Sequence, residues 1–210
     1  AISRIAYYRT ENIAGKRTIE ESIGNMRFEI SPMSFYQVNP WQMEALYNKA
    51  AEYAGLKGGE AVLDVYCGAG TIGLWLLDDL RQKDALGDTE VIGIESVKSA
   101  VLDANRNAVI NDIVNAQYVC GKAEEELHGD HADVVILDPP RSGCDASVLE
   151  AVVEAGPERI VYVSCDPATL ARDVKILGEA GYGFVEATPV DMFPWTGHVE
   201  TVVLMSRVKD

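Results

Sequence analysis

Cys165 is the residue of this sequence whose surroundings best suit a nucleophile. It follows the apolar run 160–163, and Asp166-Pro167 comes directly after it. Asp is a preferred helix N-cap and Pro suits the first helical position, so the pattern predicts a strand, a tight turn and a helix. The positive end of a helix stabilises a thiolate, which is the nucleophilic form of cysteine. The alternative is a small buried residue at a strand end.

A glycine-rich loop between a predicted strand and a predicted helix indicates a nucleotide-like ligand. Residues 68–73 read G-A-G-T-I-G, and Glu95 ends the next predicted strand. Gly68 and Gly70 let the backbone approach a ligand, and the carboxylate of Glu95 can bind a pair of ribose hydroxyls. The pattern fits a nicotinamide enzyme and an S-adenosylmethionine enzyme equally well. A tight turn without a ligand is the structural alternative.

Asp138 and Arg141 flank two consecutive prolines that follow the apolar run 134–137. Because prolines stiffen the loop and remove backbone donors, a carboxylate and a guanidinium are held at the end of a strand. Asp-Pro-Pro or Asn-Pro-Pro after the fourth strand is typical of methyltransferases that act on nucleobases, where the rigid loop holds a planar ring. The alternative is an ordinary connection between a strand and a helix.

Predicted strands and helices that could position these motifs alternate from residue 61 onward. Strands are expected at 61–66, 91–95, 116–120, 134–138 and 160–164, and helices at 71–80, 97–110, 146–155 and 168–180. Two further strands, 182–190 and 199–207, follow with little room for a helix between them. This predicts an α/β fold with a doubly wound, mostly parallel sheet and an antiparallel pair at its end. Ligands bind such sheets at the carboxyl ends of the strands, where four side chains fall: Asp64, Glu95, Asp138 and Cys165.

The first 38 residues have a different pattern, rich in strand formers. A strand is expected at 2–8, and a hairpin at 18–23 and 26–30 around Gly24-Asn25. Asn39 and Pro40 then predict the N-cap and first position of a helix. We therefore expect a β-rich segment over 1–38, a remnant of another domain, and an α/β domain over 39–210.

Composition limits the classes of protein to be considered. The chain has 210 residues, 48% of them hydrophobic, which suits one domain with a small appendage. Its four cysteines form no C-x-x-C pair, so neither a disulfide framework nor a metal site is expected. No apolar run approaches about 20 residues and no leader is recognised, so we expect a cytoplasmic protein without a membrane partner. A net charge of −15 argues against a chain that grips nucleic acid unaided, despite basic residues near its start.

Taken together, the motifs resemble those of the RNA 5-methyluridine (uracil-C5) methyltransferase family, enzymes of tRNA and ribosomal RNA that use S-adenosylmethionine. The likeness begins near residue 28 and reaches the end of the chain. It is carried by six stretches in order: S-F-Y-Q-V-N-P (34–40), D-V-Y-C-G-A-G-T (64–71), I-E (94–95), D-P-P-R-S-G (138–143), S-C-D-P-A-T-L-A-R-D (164–173) and D-M-F-P-W-T-G-H-V-E (191–200). The resemblance implies a Rossmann-like class I methyltransferase fold over 39–210.

The resemblance also implies a role for each matching residue. The Cys165 thiolate would add to carbon 6 of a uracil, which makes carbon 5 nucleophilic, and Glu200 would later remove the carbon 5 proton. The expected contacts to S-adenosylmethionine come from Gln37, Tyr66, Gly68, Gly70, Thr71, Glu95 and Asp138. The expected contacts to the RNA base come from Phe35, Gln37, Asp138 and Arg141.

Departures from the family pattern leave alternatives open. Family members usually carry an N-terminal RNA-binding β-barrel, and some an iron–sulfur cluster, but neither is found here, so we expect a catalytic-domain fragment whose partner is structured RNA. Cys144 invites comparison with RNA 5-methylcytosine enzymes, in which a second cysteine directly follows a proline of this loop. Arg141 stands at that place here, which favours uridine. A nicotinamide-dependent oxidoreductase and a non-catalytic binding module are the remaining alternatives.

Overall fold

A seven-stranded sheet and a two-stranded hairpin form the β structure of the computed structural model, which describes residues 13–127 and 131–208. The strands are β1 Ile19–Ile23, β2 Met26–Ile30, β3 Ala61–Val65, β4 Glu90–Glu95, β5 Ala116–Cys120, β6 Val134–Leu137, β7 Arg159–Ser164, β8 Tyr182–Val190 and β9 Glu200–Arg207. The helices are α1 Pro40–Ala54, α2 Thr71–Gln82, α3 Lys98–Ile110, α4 Ala123–Glu126, α5 Ala146–Ala155 and α6 Pro167–Glu179. None of these helices is both long and apolar enough to cross a bilayer.

The strand order of the large sheet is β5-β4-β3-β6-β7-β9-β8. The first five of these strands run parallel, whereas β9 lies antiparallel between β7 and β8. The chain builds outward from β3 to β5 and then returns to place β6 on the other side of β3, so the switch point lies between β3 and β6. This confirms the predicted doubly wound fold with its antiparallel final pair.

Helix and strand boundaries follow the capping signals of the sequence. Asn39 caps α1 by accepting a hydrogen bond from the amide of Gln42, and Gly55 ends that helix in the left-handed region at φ 55°. The predicted hairpin around Gly24-Asn25 is confirmed as β1 and β2. The one-turn helix α4 was not predicted, because four residues are too few to show an amphipathic period. The strand expected at 2–8 lies outside the described residues.

The core covers both faces of the large sheet. One cluster joins the hairpin, α1 and α2 to the sheet, and the other packs α5 and α6 against the opposite face. Each residue of β6 is fully buried, which explains why this central strand is a continuous apolar run rather than an alternating one. The polar ends of the strands are thereby fixed in position relative to one another.

The hairpin is joined to the α/β domain through α3. Three polar side chains, each one helical turn from the next, accept hydrogen bonds from alternate backbone amides at the hairpin: Asp103 from Ser31 (2.7 Å), Asn107 from Glu29 (2.7 Å) and Asn111 from Arg27 (2.9 Å). Asp103 also accepts from the hydroxyl of Ser34, and Asn107 donates to the carbonyl of Ala69 in the glycine-rich loop at 3.0 Å. One helix therefore holds both the hairpin and the glycine-rich loop.

Replacement of Asn107 by alanine is expected to lower the free energy of unfolding by about 2–4 kcal/mol, because it leaves the amide of Glu29 and the carbonyl of Ala69 without partners. The side chain of Asn107 is fully buried, so water does not replace these bonds easily. Urea unfolding measures the effect. Asn105→Ala, at an exposed position of the same helix, is the matched control and should change stability by no more than about 0.5 kcal/mol. Equal free energies of unfolding for Asn107→Ala and Asn105→Ala would contradict the expectation.

Candidate active site

A cavity of about 640 Å³ lies at the carboxyl ends of the parallel strands. Asp138 follows β6 and Cys165 follows β7, so the topology alone brings these two residues to the same end of the sheet. Glu200 arrives from the opposite direction, as the first residue of β9. Because Ser164 at the end of β7 pairs with Thr201, the antiparallel register sets Glu200 beside Cys165.

The cavity gathers most of the candidate residues of the sequence. Its lining includes Phe35, Gln37, Tyr66, Gly68, Glu95, Asp138, Arg141, Cys165 and Glu200. Val38, Ser96, Pro139, Pro140 and Phe193 complete it. Val38, Ser96 and Phe193 had not been singled out as site residues. The signal for Phe193 was its place within D-M-F-P-W, in the connection between β8 and β9.

Thr71 and Gly70 do not line this cavity. Thr71 lines a small recess of about 20 Å³ behind it and accepts a hydrogen bond from the hydroxyl of Tyr47 at 2.9 Å. A Cβ atom on Gly70 would lie 2.6 Å from the hydroxyl of Tyr118 and 3.0 Å from Ala104, and the residue has φ 79°. Packing and backbone conformation therefore already require a glycine at position 70, and its contact with a ligand stays a prediction.

The side of the cavity beside β3 and β4 has the form of a nucleoside site. Glu95 accepts hydrogen bonds from the amides of Gly68 at 3.2 Å and Val97 at 2.7 Å, which orient its carboxylate and leave further lone pairs free to accept. Tyr66 has φ 66°, a conformation uncommon for a residue with a side chain, and it turns the chain out of β3 into the glycine-rich loop. A ligand carrying ribose hydroxyls fits these groups.

Asp64, which the sequence placed at the ligand-binding ends of the strands without a specific contact, lies in the wall of the recess. One carboxyl oxygen accepts a hydrogen bond from the amide of Gly73 at 2.9 Å, and the other has no partner among the described residues. Burial raises the pKa of Asp64 to about 7. An unpartnered oxygen in such a buried place is an acceptor, or a donor when protonated, for a polar ligand group. This observation also fits a nucleoside ligand.

The opposite side of the cavity contains carboxyl groups that burial keeps from ionising readily. Glu200 is 2% exposed, and burial raises its pKa to about 7, against the lowering influence of the Arg141 guanidinium. Burial and the neighbouring Glu200 and Asp64 raise the pKa of Asp138 well above its usual range. A carboxyl group with a pKa near neutrality can gain and lose a proton during a reaction.

The expectation that a helix end stabilises the Cys165 thiolate is wrong for the free chain. Burial, and next the charge of Glu200, raise the pKa of the Cys165 thiol, while the charge and a hydrogen bond of Arg141 act in the opposite direction. The first-turn amides of α6 also have another acceptor, because the side chain of Asp166 accepts from two of them, at 2.9 and 3.1 Å. Arg141, not the helix, is the group that favours the thiolate.

Thermal stability is expected to fall as the pH rises from 5 to 8, in part because of Glu200. The folded chain binds the Glu200 proton up to about pH 7, whereas the unfolded chain releases it near the ordinary glutamate pKa of 4.5. Folding therefore takes up a proton in this window, and the free energy of unfolding decreases with pH, by on the order of 2 kcal/mol for this group.

Melting temperatures of the chain and of Glu200→Gln, measured at intervals between pH 5 and 8, test this prediction. The variant should show a flatter decline, since it lacks the titrating group. Glu154→Gln changes an exposed carboxylate and should keep the slope of the unmodified chain. Parallel curves for the chain and Glu200→Gln would refute the assignment.

Comparison with protein families relates this chain to methyltransferases. The family described as tRNA (uracil-5-)-methyltransferase matches residues 126–208, and the methyltransferase small domain matches residues 50–161, more than half of the chain. An RNA methyltransferase of Caldanaerobacter subterraneus, itself described as uncharacterized, is 55% identical over 201 residues. A second, from Clostridium acetobutylicum, is 50% identical over 199 residues. These alignments cover 93% and 92% of this chain but 43% and 42% of the relatives, so the chain spans less than half of their length.

Solved structures agree with this relation to methyltransferases. The Pyrococcus abyssi tRNA (uracil-54, C5)-methyltransferase, determined in complex with S-adenosyl-L-homocysteine, superposes with a TM-score of 0.80 at 36% identity, over 98% of this chain and 48% of that one. The M. jannaschii protein TYW2 shares the fold, with a TM-score of 0.65 at 16% identity over 96% of this chain and 92% of its own. The chain therefore belongs to the methyltransferase small-domain family, and its C-terminal part matches the tRNA (uracil-5-)-methyltransferase family.

Proposed function

We propose that this domain transfers a methyl group from S-adenosylmethionine to carbon 5 of a uridine in tRNA or ribosomal RNA, through a covalent adduct on Cys165. The observation that carries the proposal is the meeting of a cysteine and a glutamate from neighbouring antiparallel strands in one cavity with Glu95 and the glycine-rich loop. The rigid Asp138-Pro139-Pro140 loop that lines the same cavity has no evident use in a nicotinamide enzyme.

Glu95, Gly68 and Tyr66 form the part of the cavity proposed to hold S-adenosylmethionine, with Thr71 and Asp64 in the recess behind them. When bound, this molecule supplies an electrophilic methyl group on a sulfonium centre. Glu95 accepts from the ribose hydroxyls, because its carboxylate is already oriented by two backbone amides. Asp64 offers its unpartnered oxygen to a polar group of the same ligand.

The substrate base is proposed to lie between the rigid Pro139-Pro140 loop and Cys165. Phe35 lines the cavity and is 65% exposed. It can pack against an RNA base that has left its stack, as a base must do before an enzyme can reach it. Arg141 and Asp138 provide a cation and a carboxyl group beside the ring, and the buried side chain of Gln37 provides an amide.

The reaction follows from the positions of the two reacting groups. The Cys165 thiolate adds to carbon 6 of the uracil, and the electrons of the 5,6 double bond move onto carbon 5 and oxygen 4 as an enolate. Carbon 5 takes the methyl group, which leaves the sulfur of the donor neutral. Glu200 as carboxylate removes the proton from carbon 5, the double bond re-forms, and the carbon–sulfur bond to Cys165 breaks with its electrons returning to the thiolate.

RNA recognition is proposed to depend on surfaces beyond those described here. The net charge of −15 provides little attraction for a phosphate backbone, which normally dominates the affinity for nucleic acid. The relatives are more than twice as long as the region that this chain matches, which leaves room for a separate RNA-binding part in them.

Release of tritium from RNA labelled at carbon 5 tests the proposal, because methylation there expels the carbon 5 proton. RNA carrying [5-³H]uridine should release tritium to water only with S-adenosylmethionine present, with one methyl group gained for each proton lost. Release from [5-³H]cytidine instead would establish the 5-methylcytosine alternative. Calorimetry of S-adenosylmethionine binding, run in parallel, shows whether the donor site is formed, so that an absence of tritium release is traced to RNA docking or to the chemistry rather than to the donor. Tryptophan quenching by NADH but not by S-adenosylmethionine would favour the nicotinamide alternative.

A further inference from the structure

The loop 139–145, which carries Arg141, is held along its backbone by side chains of α6. Thr169 donates its hydroxyl to the carbonyl of Arg141 at 3.1 Å. Arg172 donates to the carbonyls of Ser142 at 3.1 Å and Cys144 at 3.0 Å. These side chains lie within the first two turns of α6, so three carbonyls of the loop are fixed to one rigid helix.

Asp173 completes this attachment from a fully buried position. One of its carboxyl oxygens accepts from the amide of Cys144 at 2.9 Å and from the hydroxyl of Tyr162 at 2.6 Å. The other accepts from Nε of Arg172 at 2.7 Å, which orients the guanidinium toward the loop carbonyls. The carboxylate therefore connects the loop, β7 and α6 through charge-assisted hydrogen bonds, and such bonds are about twice as strong as neutral ones.

The loop has no spare room at this contact. Gly143 has φ 74°, and a Cβ atom there would lie 2.5 Å from the guanidinium of Arg172 and 2.6 Å from the carboxylate of Asp173. Its amide also closes a turn onto the carbonyl of Pro140 at 2.8 Å. Backbone and side chains thus meet without a gap just beyond Arg141.

The helix that holds this loop is also the helix that begins just after Cys165. Arg141 and Cys165 line the same cavity, so their separation is set by the attachment of the loop to α6. We infer that Asp173 and Arg172 are positioning residues that hold the Arg141 guanidinium at Cys165 and so set the reactivity of the thiol. Neither residue lines the cavity. The inference deepens the proposed function, because it assumes that the reactivity of Cys165 is used.

Alkylation of Cys165 tests the inference without RNA or methyl donor. The rate with iodoacetamide is measured from pH 7 to 10 by mass spectrometry of the Cys165 peptide, in a Cys120→Ser background because Cys120 is exposed. Asp173→Asn should slow alkylation at pH 8 by about 3- to 10-fold, as expected for a thiol pKa higher by half a unit to one unit. An Asn side chain cannot accept from Arg172 and from the other two donors at once.

A double-mutant cycle separates positioning from general destabilisation. Arg141→Gln should slow alkylation by a similar factor, and Asp173→Asn combined with Arg141→Gln should be no slower than Arg141→Gln alone. Additive effects, or an Asp173→Asn profile equal to that of the background chain, would overturn the inference. Lys175→Gln, at an exposed pair on the same helix, should leave the profile unchanged.

Thr169→Val keeps the inference testable if Asp173→Asn does not fold. This variant removes the hydrogen bond to the carbonyl of Arg141 while preserving the shape of the side chain, and it should slow alkylation in the same direction by a smaller factor. An unchanged rate would count against the inference. Because no substrate takes part, a failure of methyl transfer leaves this result unaffected, and the two proposals fail separately.

Discussion

Replacement of Cys165 by serine is expected to abolish the covalent complex between this chain and RNA that carries 5-fluorouridine. Fluorine cannot leave carbon 5 as a proton does, so the unmodified chain should remain joined to the base after methyl transfer. A serine hydroxyl is far less nucleophilic than a thiolate, so the adduct should not form. Methyl transfer to ordinary uridine should fall by at least about 10³-fold.

A denaturing gel with S-adenosylmethionine and labelled RNA shows the result as a shifted band. Cys144→Ser is the matched control, because Cys144 is buried within the loop 139–145 without lining the cavity, so this variant should retain the band. A band that persists in Cys165→Ser would assign the adduct to another residue. Loss of the band in both Cys165→Ser and Cys144→Ser would mean that the substitutions had disturbed the loop 139–145.

Glu200→Gln is expected to lower turnover by about 10²–10⁴-fold while leaving the first half of the reaction intact. Glutamine cannot remove the carbon 5 proton, so the methylated adduct on Cys165 should accumulate with ordinary uridine. In the unmodified chain, turnover should rise with pH through about 7, because the carboxylate form of Glu200 is the proton acceptor. The variant should lose this dependence.

Single-turnover quenching, with the fraction of RNA joined to protein followed over time, measures both effects. Glu154→Gln controls for the loss of a carboxylate elsewhere and should turn over normally. Turnover that survives in Glu200→Gln would favour another nucleobase methyltransferase with a different proton acceptor. If turnover is lost and no adduct accumulates, Glu200 instead acts at a step before methyl transfer.

Most of the fold could be predicted because local signals determine its elements. The strand 116–120, the helix 146–155 and the strand 182–190 have the bounds expected from apolar runs and their flanking residues. The location of the site followed as well, since the carboxyl ends of parallel strands meet on one side of a sheet. The short helix α4 escaped prediction, because its sequence is acidic and shorter than two turns.

The electrostatics of the site could not be predicted from the order of residues. Asp166 predicted the start of α6, but the pKa of the Cys165 thiol is raised by burial and by the charge of Glu200, which arise only in the folded cavity. The influence of Glu200 on Cys165 depends on the register of β9 against β7, and no local motif encodes that register. Asp64 is a further case, since its unpartnered oxygen becomes evident only once the recess is closed around it.

The contact between α3 and β2 has a consequence for how the hairpin can associate. A β-strand has two edges, and β2 pairs through one of them with β1. The side chains of Asp103, Asn107 and Asn111 occupy the amides of the other, so this edge is closed to strand addition and protected from edge-to-edge aggregation. A further strand can extend this small sheet only beside β1, which gives the sheet a single direction of growth.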